Sequence, residues 1–157
     1  MLRRLLQGAA AGAAGTTALN ALTYLDMALR GRPTSSTPEQ TVEKMSSSVG
    51  VGIPGDDDTR ANRVQGIGAL MGLATGVLVG AALGAVDEAT GGALRRLPPS
   101  VLGTGVATGA LVGANGPMAV MGISDPRTWS ASDWASDLVP HAGYGLVTAL
   151  AYSAMAD

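Results

Sequence analysis

The chain has no cysteine, no phenylalanine and a single histidine. The missing cysteines exclude disulfides, thiolate metal sites and thiol nucleophiles, and leave the redox compartment undefined. One histidine and no cysteine also exclude most protein-held metal centres. Charge is scarce: 14% of the 157 residues are charged, against about 25% in ordinary soluble domains. The net charge of −2 and the lack of a basic stripe argue against nucleic acid as a partner. Catalytic signatures are missing too. There is no GxSxG, HExxH, P-loop or dinucleotide fingerprint, so the expectation is a protein without enzymatic activity and without a cofactor. Lysine is nearly absent, since all basic residues except Lys44 are arginine. An Ala/Gly/Arg-rich chain of this kind suits a high-GC genome such as that of an actinomycete.

What is present is glycine, 23 residues of it. Residues 68–84 read GALMGLATGVLVGAALG, with Gly68, Gly72, Gly76, Gly80 and Gly84 four apart and no charge from Val64 to Val86. In water this is a poor helix, because each interior glycine costs about 1 kcal/mol relative to alanine. In a bilayer the backbone must bond to itself and small residues let helices approach closely. The stretch therefore reads as a buried transmembrane helix. Glycines every fourth residue drift by about 40° per step on an α-helix, which suggests several neighbours and a central position.

The rest of the chain extends this to an all-α expectation: one membrane domain over 1–157, a bundle of four transmembrane helices spanning about 5–29, 64–86, 100–122 and 138–156. The first span competes with a signal peptide, given Arg3-Arg4 and the small residues after it. Its length, enough to cross ~30 Å of hydrocarbon, favours retention. Residues 31–63 form a polar connection. Gly31 and Pro33 end the first helix, and Thr37-Pro38-Glu39-Gln40 starts a short surface helix with Thr37 as N-cap. Asp56-Asp57-Asp58 invites a calcium reading, but adjacent carboxylates lack the spacing of a calcium loop. They fit better as the cap and acidic first turn of the next helix.

The third span repeats the small-residue theme with Gly105, Gly109 and Gly113. It must pass through Asn115-Gly116-Pro117, a stop signal in soluble proteins, which predicts a kink or unwound turn there. Before the last span a short interfacial helix is expected, with Trp129 and Trp134 as headgroup-level anchors and Asp133 and Asp137 facing water. Asp87-Glu88 and Arg95-Arg96 fall in a short turn that is neutral overall.

Four spans put loops one and three on the same side. The polar residues Asn20, Tyr24, Asp26, Asn115, His141 and Tyr144 then gather in one half of the bilayer. Ionisable residues in spans are costly and are site candidates for that reason. Each also has a plain structural reading: Asn20 and Asn115 as interhelical glue, Asp26 paired with Arg30, His141 at the headgroups. The positive-inside rule leans toward cytoplasmic loops one and three, on Arg30, Arg32, Lys44, Arg60, Arg63 and Arg127 against Arg3, Arg4, Arg95 and Arg96.

Met121-Gly122, Pro126, Trp134 and His141, together with Arg32-Pro33-Thr34-Ser35 and Pro38-Glu39, resemble the YagU-like bacterial inner-membrane proteins. The chain is also similar to other small multi-span membrane proteins of the actinobacterial type. Both resemblances imply a multi-pass location in the cytoplasmic membrane and no reaction. The function expected is structural, in assembly or protein interaction, with lipid around it and self-association or other membrane proteins as partners. A small permease or channel using the third helix and the His141 face is the alternative, and a soluble Ala/Gly-rich helical protein the second.

Overall fold

A computed structural model describes residues 1–155. Among these there are five α-helices and no strand: α1 (Leu2–Arg30), α2 (Thr37–Ser48), α3 (Asp57–Ala89), α4 (Pro99–Val120) and α5 (Ala131–Ala154). Local chemistry sets most of the ends. α1 stops where Gly31 turns left-handed at φ 62°, with Pro33 beyond it. α3 starts at Asp56, whose carboxylate accepts the Thr59 amide at 2.8 Å, and Asp57 and Asp58 occupy the positive end of the helix dipole. α2 is capped one residue earlier than expected, at Ser36, and Gln40 reaches back to the Ser36 hydroxyl.

Two expectations about the C-terminal half are corrected. α4 runs unbroken through Asn115-Gly116-Pro117 to Val120. Pro117 lies inside the helix, and no unwound turn forms there. No separate interfacial helix precedes the last one either. α5 is continuous from Ala131, passing through Pro140. The expected span 138–156 is thus the latter part of a longer helix, and its last residue lies outside the described ones.

The long helices form a bundle: α1 packs between α3 and α5, α4 packs on α5, α3 and α4 also touch, and α2 lies over the first half of α3. Side chains from all four meet in one core that includes Ala11, Leu83, Val106 and Tyr144. α3 is contacted by α1, α2 and α4, with most of its apolar stretch on the outside. The glycines explain the closest seams. A Cβ on Gly12 would fall 3.0 Å from the Gly80 Cα, and one on Gly80 would fall 2.6 Å from the Gly12 Cα. Gly8 likewise abuts the Gly80 carbonyl, and Gly84 abuts the backbone of Arg4. α1 and α3 are in backbone contact along this seam, which no side chain larger than hydrogen permits. Gly103 and Gly145 form a second such contact between α4 and α5. Gly76 meets Thr16 and Tyr144, and Gly68 meets Pro38. Gly72, Gly105, Gly109 and Gly113, also expected to pack, have nothing within 4 Å inside the chain.

The core holds Leu83, Leu102, Val106 and small residues around Tyr144 and Tyr152, with Asp87 and Thr148 also fully buried, while many large apolar side chains, among them Leu6, Leu70, Leu78, Val112 and Leu150, lie on the outside. Among the described residues one helix, α3, is long and apolar enough to cross a membrane, and only 17% of its most apolar window is buried.

Candidate functional site

Polar groups collect at the two ends of the helix bundle. At the end where α1 begins, α3 turns into α4 through a short 3-10 turn at Leu94–Arg96. That turn wraps around Asp87, the last-turn carboxylate of α3, which is fully buried. Its Oδ1 accepts the amides of Leu94 and Arg95 at 3.0 and 3.1 Å. Its Oδ2 accepts Arg95 Nε at 2.8 Å and the Tyr152 hydroxyl at 2.9 Å. Arg4 lies 3.7 Å away and donates to the Asp87 carbonyl. One residue thus ties α1, α3, the turn and α5 together. Burial works to raise the Asp87 carboxyl, but the Arg95 and Tyr152 donors outweigh it, so it titrates below the usual carboxylate range. Arg95 is correspondingly raised by that carboxylate. Sequence reasoning missed this centre. The available signal was the spacing of Tyr144, Thr148 and Tyr152, four residues apart along one face of the last helix.

The opposite end holds the expected cluster in dispersed form. Asp26 pairs with Arg30 at 2.6 Å and with Arg32 at 2.5 Å. Arg30 extends to Ser132 and Ser136 and so joins α1 to α5. Asn115 and His141 do meet, through Asp137. Asn115 Nδ2 donates to Asp137 Oδ2 at 2.8 Å. His141 Nδ1 sits 2.8 Å from the Asp137 carbonyl and 3.3 Å from its Oδ1. Asp137 was expected to face water; it is instead partly buried and links α4 to His141. Tyr144 is separate from both groups, in the core of the bundle, donating to the Gly76 carbonyl at 2.6 Å. Tyr24 is exposed. Asn20 is half-buried and makes no side-chain hydrogen bond among the described residues. Trp129 and Trp134 touch edge to face at 5.0 Å near this end, and Trp129 Nε1 donates to Ser124. Asp133 caps α5 in a reciprocal pair with Ser130.

Beside His141 a groove of about 330 Å³ runs between α4 and α5, lined among others by Thr104, Thr108, Leu111, Leu138 and Leu146. No group of three or more metal-ligating side chains occurs among the described residues. Comparison with protein-family models, with curated proteins and with solved structures finds no match.

Proposed function

We propose that this is a small multi-pass integral membrane protein of the cytoplasmic membrane with a structural, assembly or interaction role. The observation that carries the reading is the large apolar surface left outside: Leu6, Leu70, Leu78, Val112 and Leu150 are exposed on the long helices. The charge pattern supports it. Residues 5–25, 64–86 and 97–124 carry no charge, and the first two give about 30–35 Å of helix at 1.5 Å per residue, close to the hydrocarbon thickness. The Asp87 and Asp26 clusters sit at the two limits of that belt. α3 alone passes the apolarity criterion among the described residues; the small residues of the other long helices are what membrane helices use to pack.

The open glycines of α4 suggest what the outer face does. Gly105, Gly109 and Gly113 make a strip with no partner inside the chain, and a second membrane helix, from another copy or another protein, fits it. Two variants separate folding from association. Gly109→Leu is expected to leave the helix content and melting of the purified protein unchanged and to abolish cross-linking between copies in native membranes. Gly80→Leu is expected to prevent folding altogether. Unchanged cross-linking in Gly109→Leu would remove the association reading, and release of the wild type into the supernatant by alkaline carbonate would remove the membrane reading itself. The permease alternative loses one premise, since α4 is not broken.

A further inference from the structure

The groove between α4 and α5 has a polarity that specifies its ligand. His141 Nδ1 lies 2.8 Å from the backbone carbonyl of Asp137. A carbonyl can only accept, so Nδ1 carries the hydrogen, and the ring in its neutral form has a bare lone pair at Nε2. Nε2 has no partner among the described residues, and His141 lines the groove. Thr104 and Thr108 line it too, and both hydroxyl hydrogens are spent inside the helix. Thr104 donates to the Ser100 carbonyl and Thr108 to the Thr104 carbonyl, each at 2.9 Å. These hydroxyls therefore offer only lone pairs to a ligand. The α4–α5 seam runs from the Gly103–Gly145 contact to the Asn115–Asp137 bond, which sets Thr108 level with His141. Ser100, the other hydroxyl on the wall, is two turns of α4 away, about 12 Å. Near His141 the polar surface is thus made of acceptors, and the walls around it are apolar: Ala107, Leu111, Leu138, Ala142 and Leu146.

We propose that this groove binds a hydroxyl-headed amphiphile, a phenol or alcohol on an apolar tail, with the hydroxyl donating to His141 Nε2 and the tail lying along α4 and α5. A ketone, quinone or ether head would set lone pair against lone pair and leave His141 Nε2 without a donor. Asp137 is the positioning residue. Its backbone carbonyl fixes the tautomer, and its carboxylate is itself held by Asn115. Apolar lining with a few convergent polar groups is the usual make-up of a small-molecule site. The site is independent of the membrane reading; only arrival of the ligand from the lipid rests on that reading, and carbonate extraction decides it separately.

The chain has one histidine, so its imidazole nitrogens give a single, unambiguous pair of ¹⁵N signals. With the labelled full chain in detergent micelles at alkaline pH, where the ring is neutral, the ligand-free spectrum should show hydrogen on Nδ1 and none on Nε2. Adding 4-hexylphenol or octan-1-ol should move the Nε2 signal, while the matching methyl ethers should leave it in place. His141→Ala should weaken binding about tenfold, as expected for losing one buried hydrogen bond. A spectrum with hydrogen on Nε2 at that pH, or ethers that bind as well as the hydroxyl probes, would overturn the proposal, and neither reading depends on the His141 variant folding.

Discussion

Asp87 shows how a single carboxylate decides the geometry of one end of the molecule. It has no exposed surface and four hydrogen-bond donors on its two oxygens. Removing the charge leaves Arg95 beside a neutral group, and breaking one partner of a buried ion pair costs several kcal/mol. Asp87→Asn is expected to destabilise the fold by about 3 kcal/mol, measured by SDS titration of the purified protein. The pH dependence follows from the depressed carboxyl. Its contribution is fully present above the ordinary carboxylate pKa of about 3.9. It is lost as pH falls below that and through the lower folded value. The Asn variant should lack this acid limb. A milder case is Tyr144, whose hydroxyl donates to the Gly76 carbonyl across the α3–α5 gap. Tyr144→Phe keeps the ring and is expected to cost about 1 kcal/mol by the same titration.

For the helices, local signals were legible and neighbour relations were not. The left-handed turn at Gly31, the Asp56 cap and the acidic first turn of α3 follow from residue chemistry within four positions. Which glycines pack does not. Gly76 and Gly109 sit in nearly the same ten-residue string, yet one is pressed against Thr16 and Tyr144 while the other faces open space. A stripe states that a helix can be approached, not by whom. Pro117 was misleading for a related reason: Asn115-Gly116-Pro117 reads as a stop by local chemistry, while α4 continues past it to Val120. Pro117→Ala is expected to leave the helix content by circular dichroism within error of wild type. Among the candidate site residues, Asp26 with Arg30 was readable from spacing alone. The Asn115–Asp137–His141 link was not, because it needs the register of α4 on α5. Asp87 was hidden for another reason. Next to Glu88 and near two arginines it looks like part of a solvated turn, and only the fold of 94–96 back over the helix end buries it.

Taken whole, the molecule has one end where α1, α3 and α5 are bolted by Asp87 and another where α1 and α5 are joined by Arg30. The four-span reading makes both ends testable. Because the chain lacks cysteine, single substitutions give unique labels. Ser35→Cys and Thr128→Cys are expected to react with an impermeant maleimide from the same side of intact cells or inverted vesicles, and Gly91→Cys from the opposite side. Labelling of all three from one side would exclude four spans.

The placing of α1 between α3 and α5 also constrains how the protein is made. α1 is synthesised before both of them. Its seam with α3 can close early. The face bearing Gly15, set against Tyr144 and Thr148, stays vacant until α5 has been made. During that interval a half-covered, glycine-rich helix waits for a partner some 130 residues later in the chain. Chains stalled after residue 96 should therefore be captured by quality-control factors more readily than chains that include α5.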